Sequence, residues 1–223
     1  MNKNTNTKKI AGVAMFSALA FVVVAVCQFI PKVVFLTPDA KDAVIVIASF
    51  IYGPLVAPVI SFIVAFLEFI TCSGTGFWGL VMNFVSSSVF SLIASLIYKY
   101  RKTLNFAIFG LALSVVITTG VMIVLDILIV LDILIVPLFA PKMTTEAVIA
   151  WIPTLLLPFN FAKTLLNSAV ALLLYKPIIN AMRSAKLIPG TKFKTEFNKS
   201  TVISLTVGAI GLIASFVILL ILW

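Results

Sequence analysis

Apolar residues occupy this chain in long, nearly unbroken stretches rather than alternating with polar ones. That pattern predicts helices buried or membrane-exposed on all sides, not half-buried strands. The first stretch runs from Ile10 to Ile30. It follows Lys3, Lys8 and Lys9 as the core of a signal peptide follows its charged start, but it exceeds the roughly 7–15 residues of such a core, so a retained helix 1 is expected. A second stretch from Ala43 to Thr71 is interrupted at Gly53-Pro54, where glycine permits a turn and proline removes a backbone donor. We expect a short helix 2 (Ala43 to Tyr52) and a helix 3 (Leu55 to Thr71), with helix 2 too short to cross a bilayer unless protein shields it. Helix 4 is expected from Trp78 to Tyr98, helix 5 from Phe106 to Val136, helix 6 from Leu155 to Tyr175 and helix 7 from Thr201 to Trp223. The domain reading is a bundle over residues 1–186, a basic linker over 187–200 carrying Pro189-Gly190, and an extra C-terminal transmembrane helix over 201–223.

Composition turns these helices into membrane spans. The chain is 62% hydrophobic and 10% charged, against about a quarter charged in soluble domains. Sixteen basic and seven acidic residues leave a net charge of +9. No basic stripe with interleaved aromatics suits nucleic acid, so the excess is read as an orientation signal. With the N-terminus cytoplasmic and helices 2 and 3 forming a hairpin, 12 of the 16 basic residues fall on the cytoplasmic side. A single crossing there would leave nine of them outside. The chain contains no histidine, which removes imidazole bases, proton shuttles and the commonest metal ligand. Cys27 and Cys72 have no zinc, iron–sulfur or disulfide spacing and are expected to be packing residues, so no metal site is expected.

Ionisable groups inside apolar segments are costly, and each is a functional-site hypothesis. Four occur: Glu68, Asp126, Asp132 and Lys163. In helix 6, Asn160, Lys163 and Asn167 recur at i, i+3 and i+7 and share one face. A ligand pocket and a lysine snorkelling to the interface weigh equally there. Helix 5 carries a tandem hexapeptide, Val124-Leu-Asp-Ile-Leu-Ile129 and then Val130-Leu-Asp-Ile-Leu-Ile135. Six residues turn a helix by about 600°, so Asp126 and Asp132 diverge by about 120° and only one faces Lys163 well. The extra length implies tilt, a bulge or a protruding end. Glu68 precedes the turn-forming Cys72-Ser-Gly-Thr-Gly76, and Asn83 is equally readable as a structural hydrogen bond between helices. The loop Pro31 to Asp42 mixes apolar and charged residues and reads as a lid, with Asp42 expected to cap helix 2. Ala14 and Ala18, four apart on helix 1, allow another helix to approach closely.

These residues resemble the substrate-binding S components of energy-coupling factor (ECF) vitamin transporters, in particular the riboflavin type. The resemblance runs from about Lys9 to Lys186. It is carried by Ala14-xxx-Ala18, Leu36-Thr-Pro-Asp-Ala-Lys-Asp42, Phe50-Ile-Tyr-Gly-Pro-Leu55, Ser73-Gly-Thr-Gly76, Met82-Asn-Phe84 and Leu157-Pro-Phe-Asn-Phe-Ala-Lys163. It implies an all-α, six-helix bundle that captures riboflavin from outside, and a transmembrane coupling (T) subunit plus two ATPase subunits as partners. The T subunit would dock on helix 1 at Ala14 and Ala18. The chain itself would be no enzyme and carry no cofactor, since it has no Walker motif and ATP is hydrolysed elsewhere. Asn160 and Lys163 inherit flavin contacts. With them the expected site comprises Asp126, Asp132, Asn83, Leu36, Asp39, Thr75 and Glu68, with the loop Leu36 to Asp42 folding over the ligand. The expected location is a prokaryotic plasma membrane.

Two departures from that family stand out. A helix 5 asparagine of the family aligns with Asp126 counted from Val121-Met122, and with Asp132 counted back from Pro137, as a six-residue duplication with an Asn-to-Asp change would leave it. Helix 7 is absent from the six-helix core. Three other readings compete: an S component for another vitamin or small heterocycle, a stand-alone secondary transporter using Lys163 with Asp126 or Asp132, and an intramembrane hydrolase. The last fails because two carboxylates must converge and no serine has a histidine partner.

Overall fold

A computed structural model describes residues 3–34, 36–72, 76–127, 149–185 and 199–222 of the chain. Its described elements are helices α1 (Lys3–Cys27), α2 (Lys41–Tyr52), α3 (Val56–Thr71), α4 (Gly76–Tyr100) and α5 (Leu104–Leu125), then a π-helical turn (Ile152–Leu156) that runs directly into α6 (Leu157–Ser184), and finally α7 (Lys199–Leu222). Among the described residues, α1, α4, α5, the 152–184 segment and α7 are each long and apolar enough to span a bilayer, while α3 is shorter.

The break between α2 and α3 lies where the apolar stretch is interrupted. Gly53 takes φ 103°, a conformation open to glycine and strained for other residues, and its amide still closes the last turn of α2 on the Ser49 carbonyl. Pro58 falls in the first turn of α3, where its missing N–H has no intrahelical partner to lose. Every residue from Lys41 to Ser49 is buried. A helix apolar all round belongs inside a bundle, and α2 is enclosed by α1, α3, α4 and α6. At 12 residues it is about 18 Å long, so it descends partway through the bundle as the shielded element its length requires. Phe16, Ile45, Ile47, Ile60 and Phe90 fill the core around it.

Elsewhere helices meet through small residues, as membrane bundles do when packing rather than hydrophobicity drives association. A Cβ added at Gly110 of α5 would stand 2.8 Å from the Ala94 carbonyl oxygen of α4, a backbone atom that yields only if the helices part. Gly110→Ala is therefore expected to cost about 1–3 kcal/mol, read as a lower melting temperature in detergent; an unchanged melt would show that the crossing is looser than described. Gly208 and Gly211 seat α7 against Leu173 and Ala169 of α6 in the same way.

Three expected boundaries move. α1 begins at Lys3 and ends at Cys27 instead of Ile30. α6 does not stop at Tyr175: it passes through Pro177 to Ser184. Proline forfeits one backbone bond there, and the buried Ile179 and Met182 beyond it supply the packing that carries the helix on. On α5, residues 126 and 127 continue as a π-helical turn, a bulge at the start of the hexapeptide repeat. The rest of the repeat, with Asp132, lies outside the described residues, as do Thr75 and most of the linker over 187–200.

Candidate functional site

The polar residues converge at one end of the bundle, where the loop after α1, the start of α2, the end of α3, the starts of α4 and α6 and the end of α5 meet. Of the basic residues, Lys8, Lys9, Lys99, Arg101, Lys102 and Arg183 lie toward the opposite end, near the start of α1, at and just after the end of α4, and at the end of α6.

The loop between α1 and α2 turns back over this end. Val33 and Leu36 exchange two backbone hydrogen bonds of 2.9 Å, closing a tight turn in which Val34 takes φ 58°. A β-branched residue in that region is strained. Val33 itself is buried against Leu155, Phe159 and Ala162 and against Leu219 near the end of α7, with Leu36 packed on the same cluster. Pro38 and Asp39 are buried beneath the turn, so the loop's root plugs into the bundle.

What holds that root is a chain of charges. Lys163 Nζ lies 2.8 Å from Asp39 Oδ2, and Lys41 Nζ lies 3.6 Å from the same oxygen and 2.6 Å from Glu68 Oε2. Asn83 Nδ2 then donates to Glu68 Oε1 at 3.0 Å. Two lysines and two carboxylates thus neutralise one another out of water, the condition under which buried charge is tolerated. Burial alone would raise the Asp39 carboxyl, but Lys163 and Lys41 beside it outweigh that and hold it at about 2. Asn167 completes the anchor: its Nδ2 donates to the Asp39 carbonyl at 2.8 Å, and its Oδ1 accepts from the Ala43 amide at 2.8 Å. One α6 side chain therefore caps α2 and pins the loop.

Asp42 does not cap α2 as expected. It sits within the first turn, fully buried, accepting a hydrogen bond from the Ser87 hydroxyl of α4. The Asp39 carboxylate, accepting from the Lys41 amide at 3.2 Å, and Asn167 take over the free amides of the helix start.

Asn160 and Lys163 share one face of α6, as their spacing predicts, and both are 7% exposed. Asn160 Nδ2 donates to Asp126 Oδ2 at 3.1 Å and to the Leu156 carbonyl at 3.0 Å. Asp126 thus faces Asn160, while Lys163 takes Asp39. Among the described residues the Asn160 side-chain oxygen Oδ1 accepts no hydrogen bond, so it remains an acceptor at a nearly closed site, while the backbone carbonyl accepts from the Thr164 hydroxyl at 2.8 Å.

The structure brings together Asn160, Lys163, Asp126, Asp39, Glu68, Asn83 and Leu36. It adds three that sequence reasoning missed as site residues: Lys41, Asp42 and Asn167. Asn167 was visible as the third member of the helix 6 face; Lys41 had a signal in its two acidic neighbours, Asp39 and Asp42. Ala14 and Ala18 stand apart, exposed on the outer flank of α1.

A lipid-facing helical bundle enclosing a buried polar cluster at one end, with a loop folded over it, defines an integral membrane protein with a candidate site beneath that loop. Comparison with known proteins agrees. The model of the ECF transporter substrate-specific component family matches residues 8–175. The chain is 31% identical over 191 residues to the riboflavin transporter FmnP of Bacillus subtilis, covering 81% of this chain and 98% of that one. It is 26% identical over 183 residues to the riboflavin transporter RibU of Staphylococcus aureus, covering 79% and 93%. The solved S component of a bacterial ECF transporter superposes with a TM-score of 0.63 at 26% identity, covering 80% of this chain and 99% of that one. The chain belongs to the family of substrate-specific components of ECF transporters. That family is a transporter's substrate-binding component and not an enzyme, and it implies partnership with ECF coupling and ATPase subunits. Helix α7 lies beyond the matched residues.

Proposed function

We propose that this chain captures riboflavin at the site under the α1–α2 loop and delivers it across the membrane as the substrate-specific subunit of an ECF transporter. The observation that carries the reading is the α6 face. Asn160 keeps an acceptor oxygen, Asp126 and Lys163 flank it, and the relatives at 26–31% identity are riboflavin transporters. The uracil-like edge of an isoalloxazine needs paired donors and acceptors, and its faces need apolar walls such as Leu36 and Phe159 provide. In this reading Asn160, Lys163, Asp126, Asn83, Glu68, Asp39 and Leu36 serve the ligand, with Thr75 and Asp132 assigned alongside them from sequence. The basic end faces the cytoplasm, which puts the N-terminus inside. The chain divides into a bundle over 1–186, a linker and an added helix.

The test is a titration of the purified protein with riboflavin, following fluorescence of the half-buried Trp78 and Trp151 near the site, with thiamine and folate as controls. Saturable quenching by riboflavin alone, lost in Asn160→Ala, is the expected result. Quenching by neither riboflavin nor the controls would return the substrate to another vitamin or heterocycle.

The exposed Ala14 and Ala18 are assigned to docking of the T subunit, since small side chains let a partner helix approach the backbone. Ala14→Arg with Ala18→Arg is expected to leave riboflavin binding intact and abolish uptake in cells. Full uptake by this double variant would move the docking surface elsewhere.

A further inference from the structure

At the basic end of the bundle a cavity of about 230 Å³ opens between α2, α4, α5, α6 and α7. Its walls are apolar: Leu104, Ala107 and Leu111 of α5 face Ala171 and Leu172 of α6. Phe50 of α2 stands between two tyrosines, 4.5 Å from the Tyr98 ring and 6.1 Å from the Tyr175 ring. The two tyrosine hydroxyls bond each other at 2.8 Å, so what they offer the cavity is ring surface. Two lysines, Lys102 and Lys176, complete the lining, and Ser204 of α7 forms the remaining wall.

Three observations decide what such a space receives. Pockets that enclose a whole drug-sized ligand measure about 300–1,000 Å³; this one is smaller and takes part of a longer molecule. Its self-satisfied tyrosine pair and aliphatic walls suit a hydrocarbon chain, and the two lysines of the lining suit an anionic headgroup. Among the described residues the charge is uneven: Lys99, Arg101, Lys102, Lys176 and Arg183 lie at this end without a carboxylate, whereas Lys32, Lys41 and Lys163 stand at the other end with all four described carboxylates, Asp39, Asp42, Glu68 and Asp126. Lys102 is exposed, whereas its neighbour Arg101 is placed over the Phe106 ring at 5.7 Å. Basic pockets between membrane helices at an interface are the usual seat of anionic lipid headgroups.

We propose that this cavity binds one acyl chain of an acidic phospholipid whose phosphate is held by Lys102 and Lys176, with α7 closing the site. The occupant bridges α4, α5, α6 and α7. Of its lining, only Lys176 and Ser204 lie outside the residues that the family model matches, so the wall supplied by α7 is what this chain adds to the site.

The test uses the full chain, delipidated in detergent and titrated with phosphatidylglycerol, phosphatidylcholine or glycerol phosphate under native mass spectrometry. Phosphatidylglycerol is expected to give a retained one-to-one adduct, phosphatidylcholine to bind roughly tenfold more weakly and glycerol phosphate not to be retained. Lys102→Gln with Lys176→Gln should erase the preference for the acidic lipid, and the corresponding double arginine variant should keep it. Ala107→Phe, which fills the cavity, should lose the adduct with either lipid; a melting curve run on each variant separates loss of the site from loss of the fold. Equal retention of the two lipids, an undiminished preference in the double glutamine variant, or binding of glycerol phosphate as tight as that of phosphatidylglycerol would each overturn the proposal, the last in favour of a free phosphate ester.

Discussion

Lys41→Ala is expected to destabilise the protein by about 3–5 kcal/mol, the typical result of removing one partner from a buried ion pair. Lys41 is 1% exposed, and its Nζ stands between Glu68 at 2.6 Å and Asp39 at 3.6 Å. Among the described residues, alanine leaves Glu68 with the Asn83 amide and leaves Lys163 as the cation beside Asp39. The summed charge of Lys41, Lys163, Asp39 and Glu68 falls from zero to minus one in a buried site that also holds the Asp42 carboxyl. Against a total stability of about 5–15 kcal/mol, that loss shows as a drop in melting temperature on the order of 10 °C and as poor recovery in detergent. The companion variant fixes the cause: Lys41→Met together with Glu68→Gln removes both charges while roughly keeping volume, and recovers most of the stability because Asp39 and Lys163 still neutralise each other. A Lys41→Ala protein that melts within about 2 °C of the parent would show that the cluster is hydrated and that its charges are not stabilising.

The difference between Lys41 and the other site residues also explains what was readable in the sequence. Helix count and the hairpin at Gly53-Pro54 followed from apolar run length, from glycine's freedom at positive φ and from the distribution of lysine and arginine, all of which are local or additive properties. The shared face of Asn160, Lys163 and Asn167 followed from helical periodicity alone. Lys41 and Asp42 were read as part of a polar loop and its cap because they stand at the boundary of an apolar run. That they are buried depends on α1, α3, α4 and α6 closing around the start of α2, and no short window contains that information. The same holds for Asn167, which caps α2 from 124 positions away, and for Pro177, whose local signal to stop a helix is overruled by the packing of Ile179 and Met182. Periodicity placed Lys163 in the site but left its partner open between Asp126, Asp132 and ligand; the partner is Asp39, on a loop whose path only tertiary structure determines.

That partner makes Lys163 the residue whose removal is expected to affect binding most. Lys163 reaches Asp39 at the root of the loop and shares a face of α6 with Asn160, which Asp126 of α5 meets, so in the proposed reading it joins the loop to the ligand face. Lys163→Ala is expected to weaken riboflavin binding by roughly 30- to 1,000-fold, the range that follows from truncating one member of a desolvated charge pair at an interface. Its melting temperature should fall less than that of Lys41→Ala, because Lys41 remains within 3.6 Å to hold the Asp39 carboxylate. Two roles are separable here. If Lys163 acts only as the latch of the loop, Asp39→Asn, which breaks the same pair while keeping its shape, weakens binding as much, and the double variant is no worse than either single one. If Lys163 also contacts the flavin, Lys163→Ala exceeds Asp39→Asn, and the difference survives in the double-mutant cycle. The α6 face favours the second outcome, since Lys163 lies one turn from Asn160 Oδ1, which accepts no hydrogen bond among the described residues. Affinity unchanged in Lys163→Ala would remove the lysine from the site and leave the loop held by Lys41, Asn167 and packing.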